Sequence, residues 1–250
     1  MASSQRLPPS LLETLKYFDK YDYPLTADEL WFWQHGTNYS KQKIKKIYAK
    51  TLSAARLKKE KISQAKWKIA FAAGERLGRI PNILAVFVTG SLAMNNATKN
   101  DDIDLMLVVA PNTLWITRLW VNLQFWPWRR KPGVLQAPDK ICPNLWLDTP
   151  HLRLNPKNLY IAHEILQAKL LWEKIPIAQE ILRQNSWVNK YLPVAYANLT
   201  SRKRIPLSLI QERAGVRFLN LLAFVLQYIY MLPKMTTEKI GLGYAFFHPR

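Results

Sequence analysis

The pattern of apolar and polar positions predicts two strands in the middle of the chain. Residues Ile83 to Val88 form a short apolar run rich in β-branched side chains, which is typical of a buried strand. In residues 102–109 every second side chain from Ile103 onward is apolar, so Asp102 and Asp104 share the opposite face of a strand. Gly90 follows the first strand, where the backbone must turn freely.

Helical spacing of apolar residues predicts helices on both sides of these strands. Two short helices are expected at the N-terminus, joined by a turn before Pro24, and the second opens with a capping box from Thr26 to Glu29. A long helix is expected over residues 40–77, with an apolar stripe of Ile44, Tyr48, Ala55, Ile62 and Ile69. Further helices are expected over residues 114–125, 158–173 and 207–232.

A third strand is predicted over residues 141–147. Asn144, Trp146 and Asp148 alternate onto one of its faces, so a position beside residues 102–109 could bring Asp148 towards the other two aspartates. The alternative is that Asp148 only starts the turn before Pro150.

These elements predict an α+β fold, with a small mixed or antiparallel sheet flanked by helices. We expect a helix-turn-helix-like segment (residues 1–36), a basic helical linker (37–80), a core that contains the strands (81–155) and a helical C-terminal region (156–250). The N-terminal helix pair is either a DNA-binding module or a two-helix buttress on the core, since no hairpin wing follows it.

Composition narrows the classes of partner. The chain has 250 residues, a formal net charge of +19 and a pI near 10.0, which favours a polyanion: nucleic acid, nucleotide phosphates or an anionic membrane surface. The single cysteine, Cys142, excludes an internal disulfide and argues against a cysteine-based zinc site. The N-terminus lacks the apolar core of a secretory signal, so a cytoplasmic location is expected.

Basic residues concentrate between Lys41 and Lys68, where Glu60 is the only acidic residue. Charge of one sign favours contact with phosphates, and therefore a nucleic-acid partner, although a solvated helix face is the common alternative. Arg129, Arg130 and Lys131 form a second basic stretch that could reach a triphosphate or a nucleic-acid backbone.

Two apolar stretches, residues 114–128 and 218–232, are each shorter than the roughly 20 apolar residues of a membrane span. We therefore expect no transmembrane span. Both stretches are expected to cover the core, with base stacking, contact with a membrane interface or a protein partner as the alternatives. His163 lies within a predicted helix and is assigned no role.

Asp102 and Asp104 point to metal chemistry. At two strand steps, roughly 6.6 Å, their charges repel by about 2.5 kcal/mol at an effective dielectric of about 20. Binding of a hard divalent cation is the simplest explanation for two neighbouring aspartates. Mg²⁺ binds one or two carboxylates together with substrate phosphates, and two such ions can flank a displacement at phosphorus. Gly90 and Ser91, at a helix start, suit a phosphate. A hairpin with a solvated acidic edge is the alternative.

The Gly90-Ser91 pair, followed after ten residues by Asp102-Ile103-Asp104, resembles the signature of the DNA polymerase beta-like nucleotidyltransferase superfamily. The resemblance implies that residues 81–155 are a catalytic core in which Gly90 and Ser91 bind the nucleoside triphosphate. It implies that Asp102, Asp104 and a third carboxylate, for which Asp148 is the candidate, hold Mg²⁺ in a two-ion site. The implied reaction transfers a nucleoside monophosphate to an acceptor hydroxyl and releases pyrophosphate.

Along its length the chain is also similar to bacterial proteins in which a winged-helix-like segment precedes this domain. The similar segments are Tyr17-Phe18, residues 21–26, residues 29–31, residues 91–96, Ala162-His163-Glu164 and residues 246–249. A lysine-rich helix stands where a third helix and wing are expected, which argues against sequence-specific DNA binding. Two other functions remain open: a catalytically degenerate scaffold that binds nucleic acid or regulates a partner, and an adenylylating partner of a toxin-like helical protein.

Overall fold

The structure is a computed structural model that describes residues 7–131, 134, 136–201 and 216–247. It confirms the α+β class, because a six-stranded mixed sheet is flanked by helices. The N-terminal part is helical, with α1 (Pro9–Asp19), α2 (Ala27–Phe32), α3 (Lys41–Ile47) and α4 (Ala54–Gly78). The predicted capping box is confirmed, since the Thr26 side chain accepts from the Glu29 N–H and the Glu29 side chain accepts from the Thr26 N–H.

The single helix predicted over residues 40–77 is wrong, because the chain leaves the helical conformation between α3 and α4. Tyr48 has extended backbone angles, with φ −140° and ψ 117°, and its hydroxyl donates to the Leu25 carbonyl at 2.9 Å. Ser53 then starts a new helix, since its side chain accepts from the Arg56 N–H. A second N-cap inside the basic stretch was the sequence signal for this break.

The three predicted strands are confirmed and form the centre of the sheet. They are β1 (Ile83–Val88), β2 (Ile103–Val109) and β3 (Ile141–Asp148). A one-turn helix, α5 (Gly90–Ala93), follows β1, and α6 (Leu114–Gln124) connects β2 to β3. β1 and β2 are antiparallel, whereas β2 and β3 are parallel, as a helical crossover requires.

The C-terminal part adds further helices and three strands to this centre. Its elements are α7 (Leu159–Gln167), β4 (Lys169–Glu173), α8 (Ile177–Gln184), α9 (Pro193–Thr200), α10 (Val216–Met231), β5 (Lys239–Ile240) and β6 (Tyr244–Phe246). The sheet order is β4-β1-β2-β3-β6-β5. The helix predicted over residues 158–173 is wrong beyond Gln167, because residues 169–173 pair with the open edge of β1 instead. Of the helix predicted over residues 207–232, residues 207–215 lie outside the described residues.

Helices cover both faces of the sheet. On one face, Leu11 of α1 and Leu30 of α2 belong to the same buried cluster as Phe87 of β1 and Leu166 of α7. On the other face, α4, α6 and α10 cover the opposite side chains of β1 and β2. The first two helices therefore share their core with the rest of the protein, as the buttress interpretation expects.

The buried stripe of α4 is not the predicted one. Ala55 is exposed, Ile62 is only partly buried and Ile69 is exposed, while the buried positions are Arg56, Ser63, Lys66, Ala70, Ala73, Gly74 and Leu77. The physical reason is that two cations on this stripe have hydrogen-bond partners in other parts of the chain. The Arg56 guanidinium donates to the Glu29 carboxylate and to the Pro24 carbonyl, and the Lys66 ammonium donates to the Asp101 carbonyl.

Two histidines lie between the N-terminal helices and α7. The Nε2 atoms of His35 and His163 are 3.0 Å apart, and the Gln167 amide donates to His163 Nδ1 at 3.0 Å. His163 therefore carries its proton on Nε2 and donates it to His35. Burial lowers the pKa of His35 to about 4, and burial together with the His35 charge holds the pKa of His163 well below its ordinary value.

Acid should therefore destabilise the protein. Both histidines have depressed pKa values in the folded state, so their contribution is full above about pH 6.5 and is lost as the pH falls towards 4. Between about pH 7.5 and pH 5 we expect a loss of up to about 2 kcal/mol for each histidine in the free energy of unfolding, measured by urea denaturation. His35→Gln removes one titrating ring, so its loss should be about half. An identical pH dependence in both proteins would contradict this account.

Candidate metal and phosphate site

Gly90 brings the end of β1 against the carboxylate of Asp104. Its φ is +63°, in the left-handed region, and a Cβ atom at this position would lie 2.5 Å from Asp104 Oδ2. The backbone N–H of Thr89 donates to the Asp104 carbonyl at 3.0 Å, which fixes the turn to β2. Glycine is required here for two independent reasons, the backbone angle and the lack of space.

Ser91 is tied to the loop that leads into β2. Its hydroxyl donates to Asp101 Oδ2 at 2.9 Å, and Thr98 donates to the same carboxylate through its N–H and its hydroxyl. Burial raises the pKa of Asp101, but these hydrogen bonds outweigh it and the pKa is lowered overall. The buried Lys66 ammonium holds the Asp101 carbonyl from α4, so the loop beside the Gly90 turn is fixed from both sides.

The predicted aspartate pair lies in a cluster that could hold a metal ion. Asp102, Asp104 and Cys142 each offer a ligand atom, and these atoms lie within 4.8 Å of one another. The parallel pairing of β2 and β3 places Cys142 opposite Asp104. Burial, and then the charges of Asp104 and Asp102, raise the pKa of the Cys142 thiol. Cys142 is therefore a protonated, buried neighbour, and the two carboxylates are the donors that suit a hard cation.

Asn144 holds one of these carboxylates. Its Nδ2 donates to Asp104 Oδ1 at 2.8 Å. Its own Oδ1 is buried and has no hydrogen-bond partner in the part of the chain that the structure describes. A buried amide oxygen without a donor is costly, so this atom fits either a metal ion or a water bound to one. The cluster therefore offers two carboxylates, with a buried amide oxygen on the residue that holds Asp104.

Arg130 supplies the positive charge beside the pair. Its guanidinium donates to Asp102 Oδ2 at 2.9 Å and to the Val134 carbonyl through two other nitrogens. Burial lowers the pKa of Arg130, but the contact with Asp102 outweighs it and the pKa is raised. The neighbouring Arg129 donates to Asn122 and lies over the Trp126 ring instead. Only one of these two arginines contacts the aspartate pair.

The prediction that Asp148 joins the aspartate pair is wrong. Because β2 and β3 run in the same direction with Asp104 opposite Cys142, Asp148 lies opposite Val109, at the far end of the strand pair. There it bonds His151 at 2.5 Å, and burial raises its pKa. Among the described residues no other aspartate, glutamate or histidine forms a metal-sized cluster with Asp102 and Asp104.

Sequence reasoning missed Cys142 and Asn144 as neighbours of the pair. Both lie on the strand that was predicted to carry a third carboxylate, and the alternation that selected Asp148 also included Asn144. What was missing was the strand register: a parallel β3 that starts beside Asp104 brings its first residues to the site and carries its last residue away.

No protein-family model, no curated protein and no solved structure matches the chain.

Replacing Gly90 by alanine should damage the site and the fold together. The change forces a side chain into a left-handed conformation and against Asp104 Oδ2. Gly36→Ala is the matched control, because Gly36 has φ +59° and no atom within 4 Å of its Cβ position. Both variants should lose about 1–2 kcal/mol of unfolding free energy from the backbone alone. Only Gly90→Ala should also lose Mn²⁺ binding, measured by electron paramagnetic resonance; equal Mn²⁺ affinities in the two variants would contradict the assignment.

Proposed function

We propose that the protein is a metal-dependent nucleotidyltransferase that moves a nucleoside monophosphate from a nucleoside triphosphate to an acceptor hydroxyl. The observation that carries the proposal is the contact of the Gly90 turn with Asp104, beside Asp102, because it brings a backbone turn against a pair of carboxylates that could hold a metal ion. The resemblance of residues 90–104 to nucleotidyltransferases supports the same conclusion.

Asp102 and Asp104 would hold Mg²⁺ in a site that two ions can share with the triphosphate. When bound, the metal supplies neutralisation of the triphosphate charge. Asn144 orients Asp104 through its Nδ2 and offers its unpartnered Oδ1 as a further oxygen. Gly90 and Ser91 would contact the phosphates. The Ser91 hydroxyl would either leave Asp101 to bind a phosphate or stay bonded to Asp101, which would then hold the turn in position.

Arg130 has a place in this proposal as the cation that balances Asp102 in the absence of substrate. A guanidinium forms paired hydrogen bonds equally well with carboxylate and phosphate oxygens. We infer that, when the triphosphate binds, the Arg130 guanidinium leaves Asp102 and bonds the phosphates. Asp102 could then bind the metal. Positioning and electrostatic stabilisation would then account for the catalysis, without a covalent intermediate on the protein.

Among the described residues, no third carboxylate lies in the cluster with Asp102 and Asp104 to accept the proton of the acceptor hydroxyl. This observation favours the second candidate, a degenerate scaffold that binds nucleic acid. On α3, α4 and the residues between them, several lysines are exposed: Lys43, Lys45, Lys46, Lys50, Lys58, Lys61 and Lys68. Lys45 is paired with Asp28, and the others could contact phosphates. Lys66 and Arg56, which the basic stretch also includes, are buried in structural contacts.

Nucleotide binding separates the two candidates. Calorimetry of each of the four nucleoside triphosphates with Mg²⁺ should show binding by the wild type, and Asp104→Asn should weaken it by at least about tenfold because a metal ligand is lost. Asp28→Asn, at an exposed carboxylate paired with Lys41 and Lys45, is the surface control and should bind normally.

No triphosphate binding by the wild type, or equal binding by Asp104→Asn, would contradict the nucleotidyltransferase. Steeply salt-dependent nucleic-acid binding that survives Asp102→Asn and Asp104→Asn would then favour the scaffold, because it would depend on lysines rather than on the site. If the wild type binds a triphosphate, the acceptors to test next are RNA, a protein hydroxyl and a small molecule.

A further inference from the structure

The helix α10 has its polar side towards the protein and its apolar side outward. Its buried residues are Asn220, Ala223 and Gln227. From Phe218 to Tyr230, every exposed side chain of this helix is apolar or aromatic. These exposed residues cover roughly half of the helix circumference; they are Phe218, Leu219, Leu221, Leu222, Val225, Leu226, Ile229 and Tyr230. A helix at a water-facing surface normally has the opposite arrangement.

Polar contacts fix α10 along α6. Asn220 Oδ1 accepts from the Trp115 N–H at 2.7 Å, and Gln227 Nε2 donates to the Trp115 carbonyl at 2.8 Å. Arg118 donates to Gln227 Oε1 at 2.5 Å. These bonds give Asn220 and Gln227 their hydrogen-bond partners on α6. The polar side of α10 therefore faces α6, and its apolar side faces outward.

The outer side of α6 continues the apolar surface. Leu119, Trp120 and Leu123 are exposed, with Leu123 at 65%, and they line a groove of about 340 Å³ with Ile80 and Pro81. Trp126 follows at the end of the helix and is 54% exposed. We call the exposed apolar residues 218–230 of α10, together with Leu119, Trp120, Leu123 and Trp126, the apolar face. Large exposed apolar surfaces of this kind mark interaction sites.

The two chain segments that carry the apolar face are basic. Residues 105–138 and 216–237 contain six arginines or lysines and no aspartate or glutamate. Arg217 is exposed at the start of α10, and Lys234, beyond its end, lies over the Tyr230 ring at 4.1 Å. Arg129 lies close enough to Tyr230 to lower its pKa, after the hydrogen bond and charge of Lys234. Basic groups therefore border both ends of the face.

We propose that the apolar face binds the surface of an anionic lipid bilayer. The aliphatic side chains would enter the boundary between headgroups and acyl chains, the exposed tryptophans and Tyr230 would lie at headgroup level, and the flanking cations would contact anionic headgroups. A second copy of this chain is a poorer occupant, because a two-fold interface would bring the same flanking cations together.

The bound state lies along the bilayer and does not cross it. Residues Val216–Lys234 are the one stretch of the described chain that is long and apolar enough for a span. However, α10 has 16 residues, about 24 Å, and is hydrogen-bonded along its length to α6, which packs against the sheet. Insertion across a bilayer would break these contacts and bury Arg118.

Vesicle flotation of the full chain tests the proposal. The protein should float with vesicles of phosphatidylcholine containing phosphatidylglycerol, and much less with phosphatidylcholine alone. Leu222→Glu/Ile229→Glu should lower the partition coefficient by at least about tenfold, because both side chains would leave water on binding. The matched control is Leu12→Glu/Leu57→Glu, which adds the same charge at two exposed leucines outside the face and should bind like the wild type.

Three results would overturn the proposal. The first is absence of binding to the anionic vesicles, and the second is equal binding to both vesicle types. The third is equal partition by the two double variants, which would place the lipid contact outside the apolar face. Light scattering without lipid tests whether a second copy of the chain covers the apolar face instead. If the wild type does not bind vesicles and forms a dimer that Leu222→Glu/Ile229→Glu converts to a monomer, the face binds a second copy. Circular dichroism of both variants verifies that the fold is kept.

Discussion

The close approach of Gly90 to the Asp104 carboxylate is the constraint on which the proposed site depends. Because no side chain separates them, β1 can end directly against the acidic edge of β2, and the following turn faces the same space as the carboxylates. Asp104 is then held from three directions, by the Thr89 N–H on its carbonyl, by Asn144 on its carboxylate and by the strand β2 itself. Preorganisation of this kind is what a metal and a triphosphate require.

Buried cations connect this site to the N-terminal helices. Lys66 is 2% exposed and its ammonium bonds the carbonyl of Asp101 and the carboxylate of Asp139, on either side of the aspartate pair. About three turns earlier in the same helix α4, Arg56 bonds Glu29 of α2 and the hydroxyl of Tyr23. One helix thus ties the N-terminal segment and the loop before β2 into a single arrangement. Removing the partner of such a buried cation is costly, because its charge stays buried.

Local patterns predicted the elements of the core, and long-range pairing decided the rest. The strand at Ile83–Val88, the faces of β2 and the capping box at Thr26 are visible within a few residues, and the structure confirms them. Where β4 pairs and where β3 begins depend on partners far away along the chain. Asp148 was therefore assigned to the wrong end of the sheet, while Asn144 lay on the predicted face.

The buried stripe of α4 was missed for a different reason. Hydrophobic periodicity assigns Arg56 and Lys66 to the solvent side, because an isolated charge is costly to bury. Partners supplied by other parts of the chain, among them the carboxylate of Glu29 and the carbonyl of Asp101, make these positions favourable. The reversed polarity of α10 is of the same kind: Asn220 and Gln227 look like interruptions of an apolar helix until their contacts with α6 are known.

The most direct test of the central claim is a crystal structure with Mn²⁺ and a non-hydrolysable nucleoside triphosphate, with the metal located by anomalous scattering. The account predicts a metal peak bound by the carboxylates of Asp102 and Asp104, with the Arg130 guanidinium moved from Asp102 onto the phosphates. A structure in which the crystals take up metal and nucleotide elsewhere, and the Arg130 contact with Asp102 is unchanged, would contradict it.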